Sequence, residues 1–259
     1  MTFVINGTTG ATQSASFDSA STFGFKNRII NGAMMIDQRN AGASVTPTTN
    51  PTYTLDRWNL GFTAASKLSV QQNAGSVTPP NGFVNYLGIT SLSAYSVGSG
   101  DTFLIQQSIE GVNTSDLGWG TASAATVTIS FWVRSSLTGS FGGSVVNSGA
   151  TRAYPFTYTI SSANTWEQKS VTITGDTTGT WLTTTGTGLN LRFGLGSGST
   201  YSGTAGAWVG ANIVQPTGGN SVVGTNGATW YITGVQLEKG STATSFDYRP
   251  YGTELALCQ

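Results

Sequence analysis

The chain has 259 residues, no histidine, one cysteine, and 11 basic against 11 acidic residues, with only 8 % of its residues charged. The missing histidine removes Ser-His-Asp and Cys-His catalysis and histidine metal ligands, and the lone Cys258 removes intrachain disulfides and cysteine zinc clusters. A formal charge of zero supplies no cationic field for nucleic acid or an anionic membrane, and no apolar run approaches the roughly 18 residues that span a bilayer.

The first 27 residues are small, polar and aperiodic, so residues 1–27 are expected to form an extended arm or linker. Their start, "MTFVINGTTG", lacks the charged and apolar regions of a secretory signal, and the absence of disulfides fits folding in a reducing compartment. From residue 28 to 251 the pattern changes to short apolar-alternating runs between clusters of Gly, Asn, Ser and Pro. Strands are predicted over 28–36, 53–60, 67–72, 83–90 and 102–110. In "TVTISFWVRS", Val127, Ile129, Phe131 and Val133 share one face, and Thr128, Ser130, Trp132 and Arg134 the other. The same alternation puts Phe156, Tyr158 and Ile160 inward in "YPFTYTI", and Leu189, Leu191, Phe193 and Leu195 inward in "GLNLRFGLG". Further strands are predicted over 166–174, 207–213 and 228–237. Roughly ten to twelve strands with turns between them predict an all-β sandwich or barrel.

The last predicted strand, "TWYITGVQLE", alternates out of phase unless one extra residue sits at Thr233–Gly234, so a bulge is predicted there. Its two apolar faces predict a central position. Beyond it, Arg249 would clamp the following turn if that turn brought it to Glu238. In the tail, residues 252–259, Gly252 breaks the strand, Thr253 can cap a helix, and Glu254 suits the positive end of its dipole.

The closing segment "ITGVQLEKGSTATSFDYRPYGTELALCQ" resembles one common in bacteriophage tail fibres and related virion proteins. There a strand ending in "GVQLE" precedes a "G-x-x-A-T-x-F-x-x-R" turn and an "E-L-x-x-C-Q" tail. "NRIINGAMMIDQRNAG" (27–42) and "YTLDRW" (53–58) resemble the leading segment of the same proteins, and the middle of the chain resembles their jelly-roll body. The resemblance implies a jelly-roll β-sandwich similar to carbohydrate-binding modules, often assembled as a homotrimer on the virion after production in the host cytoplasm. The polar arm would then join neighbouring virion proteins. The resemblance implies no particular ligand; the role expected is a tail fibre domain that recognises host-surface glycans. The alternative is a capsid decoration or head-fibre protein that binds neighbouring subunits.

Sugars present weakly apolar faces and many hydroxyls, so a glycan site needs an aromatic platform flanked by amides. Trp132, on the polar face of its strand, and Trp181, Trp208 and Tyr201, in glycine-rich surroundings, are the candidate platforms, each weighed against plain packing in the core. The acids isolate no acid/base couple by spacing; Asp56–Arg57 and Glu238–Lys239 read as structural pairs, and no catalytic activity is expected. Asp176 in "TGDTTGT" could lend oxygen to a structural calcium, against a plain turn; no other cofactor is expected.

Overall fold

A computed structural model describes residues 26–259, together with the short strands β1 (Val4–Ile5) and β2 (Thr12–Gln13), which pair antiparallel. The rest of the expected arm before Lys26 lies outside the described residues. In chain order the body contains β3 (Thr52–Tyr53), β4 (Asn59–Phe62), β5 (Leu68–Gln72), β6 (Leu87–Ser91), β7 (Thr102–Glu110) and β8 (Val127–Ser135). These are followed by β9 (Gly139–Asn147), β10 (Ala153–Ile160), β11 (Glu167–Ile173), β12 (Thr187–Ser197), β13 (Ser202–Gly203), β14 (Gln215–Pro216) and β15 (Thr229–Lys239). Among the described residues the one α-helix is α1 (Tyr251–Cys258), at the C-terminal end.

Two antiparallel sheets face each other in a jelly-roll sandwich. One has six strands in the order β10-β9-β12-β7-β4-β3, and the other has five, β11-β8-β15-β6-β5. The inward positions expected from alternation on β8, β10 and β12 all lie in one continuous core with Trp58 and Trp230. Burying so many large side chains between two sheets is the main stabilising term in such a fold.

β15 is the middle strand of its sheet, as its two apolar faces require. Its pairing with β8 jumps from Thr233↔Trp132 to Gln236↔Ser130, so one extra residue sits on β15 at the predicted bulge. Gly234 occupies it with φ 62, and a Cβ there would come within 2.6 Å of the Phe83 ring. Only glycine meets both demands.

Several predicted strands are corrected. Residues 28–36 form no strand, because Asn31 and Met34 both take positive φ. The Asn31 side chain locks this turn, accepting from Ile36 N–H at 2.9 Å and donating to Ile36 O at 2.8 Å. The run 53–60 is a hairpin: the loop after Tyr53 turns at Arg57, φ 70, and returns as β4. β6 starts only at Leu87, since Phe83 packs on Phe246 and Tyr248 instead. Residues 207–213 contribute an isolated bridge, Val209 to Ala153. β9 was hidden by its glycines, which look like a turn in "GSFGG". Gly142 is there because Pro216 lies 2.3 Å from where its Cβ would be.

The two ends of the described chain are knitted together. Asn27 is buried; its Oδ1 accepts from Ile29 and Leu237 N–H, and its Nδ2 donates to Val235 O. Arg249 does not reach Glu238. It donates to the carbonyls of Asn27 and Ile29 and pairs with Glu254 at 3.1 Å. Glu254 also accepts from Asn31 N–H, so its side chain points inward. α1 starts at Tyr251 after Pro250, so Thr253 lies within its first turn and makes no cap. Glu238 instead accepts from Thr244 N–H at 2.8 Å and Thr244 Oγ1 at 2.7 Å, which holds the turn after β15. The expected pairs Asp56–Arg57 and Glu238–Lys239 are likewise exchanged, for Arg57–Glu110 and Lys239–Asp116.

Candidate functional site: a polar groove on the six-stranded sheet

The outward positions of the six-stranded sheet line up across strands. Tyr53 pairs with Asn59, Asn59 with Gln106, Gln106 with Arg192, Arg192 with Ser144 and Ser144 with Pro155. Opposed residues of an antiparallel pair share a face, so this is one transverse row across the whole sheet. An aromatic ring opens it, and amides, a guanidinium and a hydroxyl follow. Tyr53 is 47 % exposed and carries the Arg39 guanidinium 5.4 Å from its ring centre.

Arg192 is the fixed point of the row. Its Nε donates to Gln106 Oε1 at 3.0 Å and its Nη1 to Asn212 Oδ1 at 2.7 Å. Burial pushes its pKa down to about 10, so it remains cationic at neutral pH. The next row adds Ser108, which donates to Asn190 Oδ1 at 2.6 Å. Within the first row, the buried Asn59 Oδ1 and Ser144 Oγ have no hydrogen-bond partner.

The segment after β13 forms a wall on the β9–β12 side. Asn212 caps Arg192, while Gln215 and Pro216 lie over Gly194 and Gly142, whose missing side chains make the space. On the β3–β7 side the face opens into a cavity of 410 Å³ lined by Tyr53, Arg39, Asp56, Arg57, Ser108 and Glu110, among others.

The cavity holds two carboxylates, one accepting from Gln38 and the other paired with Arg57. Asp56 accepts from Gln38 N–H at 2.6 Å and Gln38 Nε2 at 3.3 Å. Burial alone would raise the Glu110 carboxyl, but Arg57, the Glu110 backbone and Asn113 outweigh it and hold the pKa below the usual carboxylate value. A general acid in glycoside hydrolysis needs the opposite displacement.

The sequence-derived aromatics lie elsewhere. Trp132 is half-buried on the outer face of the five-stranded sheet, between Gln168 of β11 and Thr233 of β15. Trp181 and Trp208 come together, 5.4 Å between centres, around a ring the sequence reading passed over: Trp119, at 4.7 and 5.3 Å from them. All three contacts are edge-to-face, and every indole N–H is engaged: Trp119 to Ala125 O, Trp208 to Thr174 O, and Trp181 to Asp176 and Thr178. This cluster packs against the core, beside a cavity of 170 Å³. Tyr201 ends a short 3-10 turn, and its carbonyl accepts from Val214 N–H.

Asp176 receives two N–H groups of Arg152, at 2.8 and 2.6 Å, plus Thr178 and Trp181. Both Asp176 carboxylate oxygens are therefore engaged by the Arg152 guanidinium. Among the described residues no three His, Cys, Asp or Glu side chains cluster as a metal site.

No protein-family model matches the chain, and no curated protein matches it. Solved structures align with it at low identity. A candidate sugar-binding protein from Bacteroides thetaiotaomicron aligns over 83 % of this chain and 100 % of its own, with 12 % identity and a TM-score of 0.47. The enzymatically active domain of tailspike protein 4 of bacteriophage CBA120 aligns over 83 % of this chain but only 21 % of its own, with 12 % identity and a TM-score of 0.45. A family 11 carbohydrate-binding module of Clostridium thermocellum aligns over 78 % of this chain and 98 % of its own, with 12 % identity and a TM-score of 0.34. The site rests on its residues and not on these likenesses.

Proposed function

We propose that this chain is a glycan-recognition domain that binds without catalysis, carried by a bacteriophage tail fibre and used to recognise the host surface. The observation that carries the binding part is the row Tyr53–Asn59–Gln106–Arg192 and its adjoining 410 Å³ cavity. A sugar ring can lie on Tyr53 while the hydroxyls of a neighbouring sugar in the same chain meet the amide of Gln106, two strands away. The absence of catalysis is supported by Glu110, whose carboxyl is held ionised by Arg57. The phage assignment, and with it assembly as a homotrimer on the virion, is supported by the sequence resemblance of residues 27–42, 53–58 and 232–259.

The test is a host-surface glycan array probed with the protein and with Tyr53→Ala, Trp132→Ala and Trp181→Ala. Binding that is lost in Tyr53→Ala and kept in the two tryptophan variants supports the groove. Silence of the wild-type protein across the array removes the glycan reading and favours a decoration protein that binds virion subunits.

A further inference from the structure

Most guanidinium groups in this protein have a carboxylate. Arg28 meets Asp116, Arg57 meets Glu110, Arg152 meets Asp176 and Arg249 meets Glu254. Among the described residues Arg39, Arg134 and Arg192 do not. Arg134 lies on the other sheet, over Tyr231. Of the remaining two, Arg39 lines the 410 Å³ cavity over Tyr53, and Arg192 lies in the transverse row that Tyr53 begins, three strands along the same sheet face.

Arg192 is the informative one. It is partly buried, yet both its acceptors are neutral amides, Gln106 Oε1 and Asn212 Oδ1. Taking a cation out of water without an anion is unfavourable, and amide acceptors compensate only in part. They do fix its plane. Nε and Nη1 are held, whereas among the described residues Nη2 meets no acceptor. The guanidinium is thus oriented in advance, with a pair of N–H donors left over. That is the arrangement that suits a planar oxyanion. The β3 ring and β12 are three strand spacings apart, about 14 Å, so a ligand touching both Tyr53 and Arg192 is an oligosaccharide.

We infer that the groove is selective for acidic oligosaccharides, with a sugar carboxylate on Arg192 and a ring on Tyr53 beneath Arg39. This rests on the glycan reading above and narrows its ligand class. The carboxylate would complete the charge balance that the fold leaves open at Arg192. Arg39, exposed over the Tyr53 ring, adds a steering charge at the open end.

The test is a calorimetric titration with oligosaccharides ending in uronic or sialic acid, and with the same compounds after reduction of the carboxyl to an alcohol. The acidic member is expected to bind at least about tenfold more tightly at low salt, with the preference shrinking as salt rises. In Arg192→Gln, checked for an unchanged melting temperature, the preference should fall to near unity. Arg39→Gln, on an exposed side chain, should reduce it by only a few-fold. Equal binding of the acidic and reduced members by the wild-type protein overturns the charge selectivity and leaves the glycan reading standing. Failure of both members to bind overturns the two together.

Discussion

Arg249 and Arg192 are both drawn out of water, and the fold treats them in opposite ways. Arg249 sits where the chain ends meet, its two terminal nitrogens held by two carbonyls and the Glu254 carboxylate. Arg192 sits on the outer face of the six-stranded sheet, steadied by two amides and given no carboxylate. A charge that is fully answered within the protein holds the structure. One that is oriented but unanswered is available to something else. The difference separates an arginine paired within the fold from the one proposed to bind ligand.

Removing one partner from each region breaks the comparison in different directions. Glu254→Ala removes the carboxylate beside the buried Arg249 and the acceptor of Asn31 N–H, so chemical denaturation should report a loss of about 3–5 kcal/mol. Gly234→Ala should come next, at about 2 kcal/mol, because the new Cβ meets both a positive φ and the Phe83 ring. Arg192→Gln should change stability by less than about 1 kcal/mol, or raise it, because it removes a partly desolvated charge with no ionic partner. An Arg192→Gln loss as large as that of Glu254→Ala would make Arg192 a structural residue and erase the contrast.

The smallest expected effect is in acid. Burial tends to raise the Asp176 carboxyl, but Arg152, Thr178 and Trp181 outweigh it and lower its pKa. A lowered folded pKa means the ionised form stabilises the fold above the unfolded carboxylate range, and that contribution is lost as pH falls through the folded value. Urea midpoints measured from pH 6 downward should therefore drop less steeply in Asp176→Asn than in the wild-type protein. A steeper drop in the variant would reverse the sign.

The fold was legible where alternation was clean. Val127, Ile129, Phe131 and Val133, and Leu189 through Leu195, announce their strands and face the core. The bulge was legible because Gly234 falls where the apolar phase slips. The Asn31 turn was not, since a side-chain amide standing in for backbone partners leaves no periodic trace. The groove was only half legible. Asn190, Arg192, Gln106 and Ser108 stand out as outward polar positions on predicted strands. Their meeting depends on β12 lying beside β7, a pairing of segments some 80 residues apart that alternation alone does not specify. Looking for tryptophan led instead to Trp181 and Trp208, whose rings are engaged with Trp119.

The most direct measurement is a map of ligand-protected side chains, by hydroxyl-radical footprinting or co-crystallisation with an array-selected glycan. Protection at Tyr53, Gln106 and Arg192, with Trp132, Trp181 and Trp208 unchanged, is the predicted result. Protection confined to Trp132 or to the Trp119–Trp181–Trp208 cluster would contradict it and move the binding surface away from the six-stranded sheet.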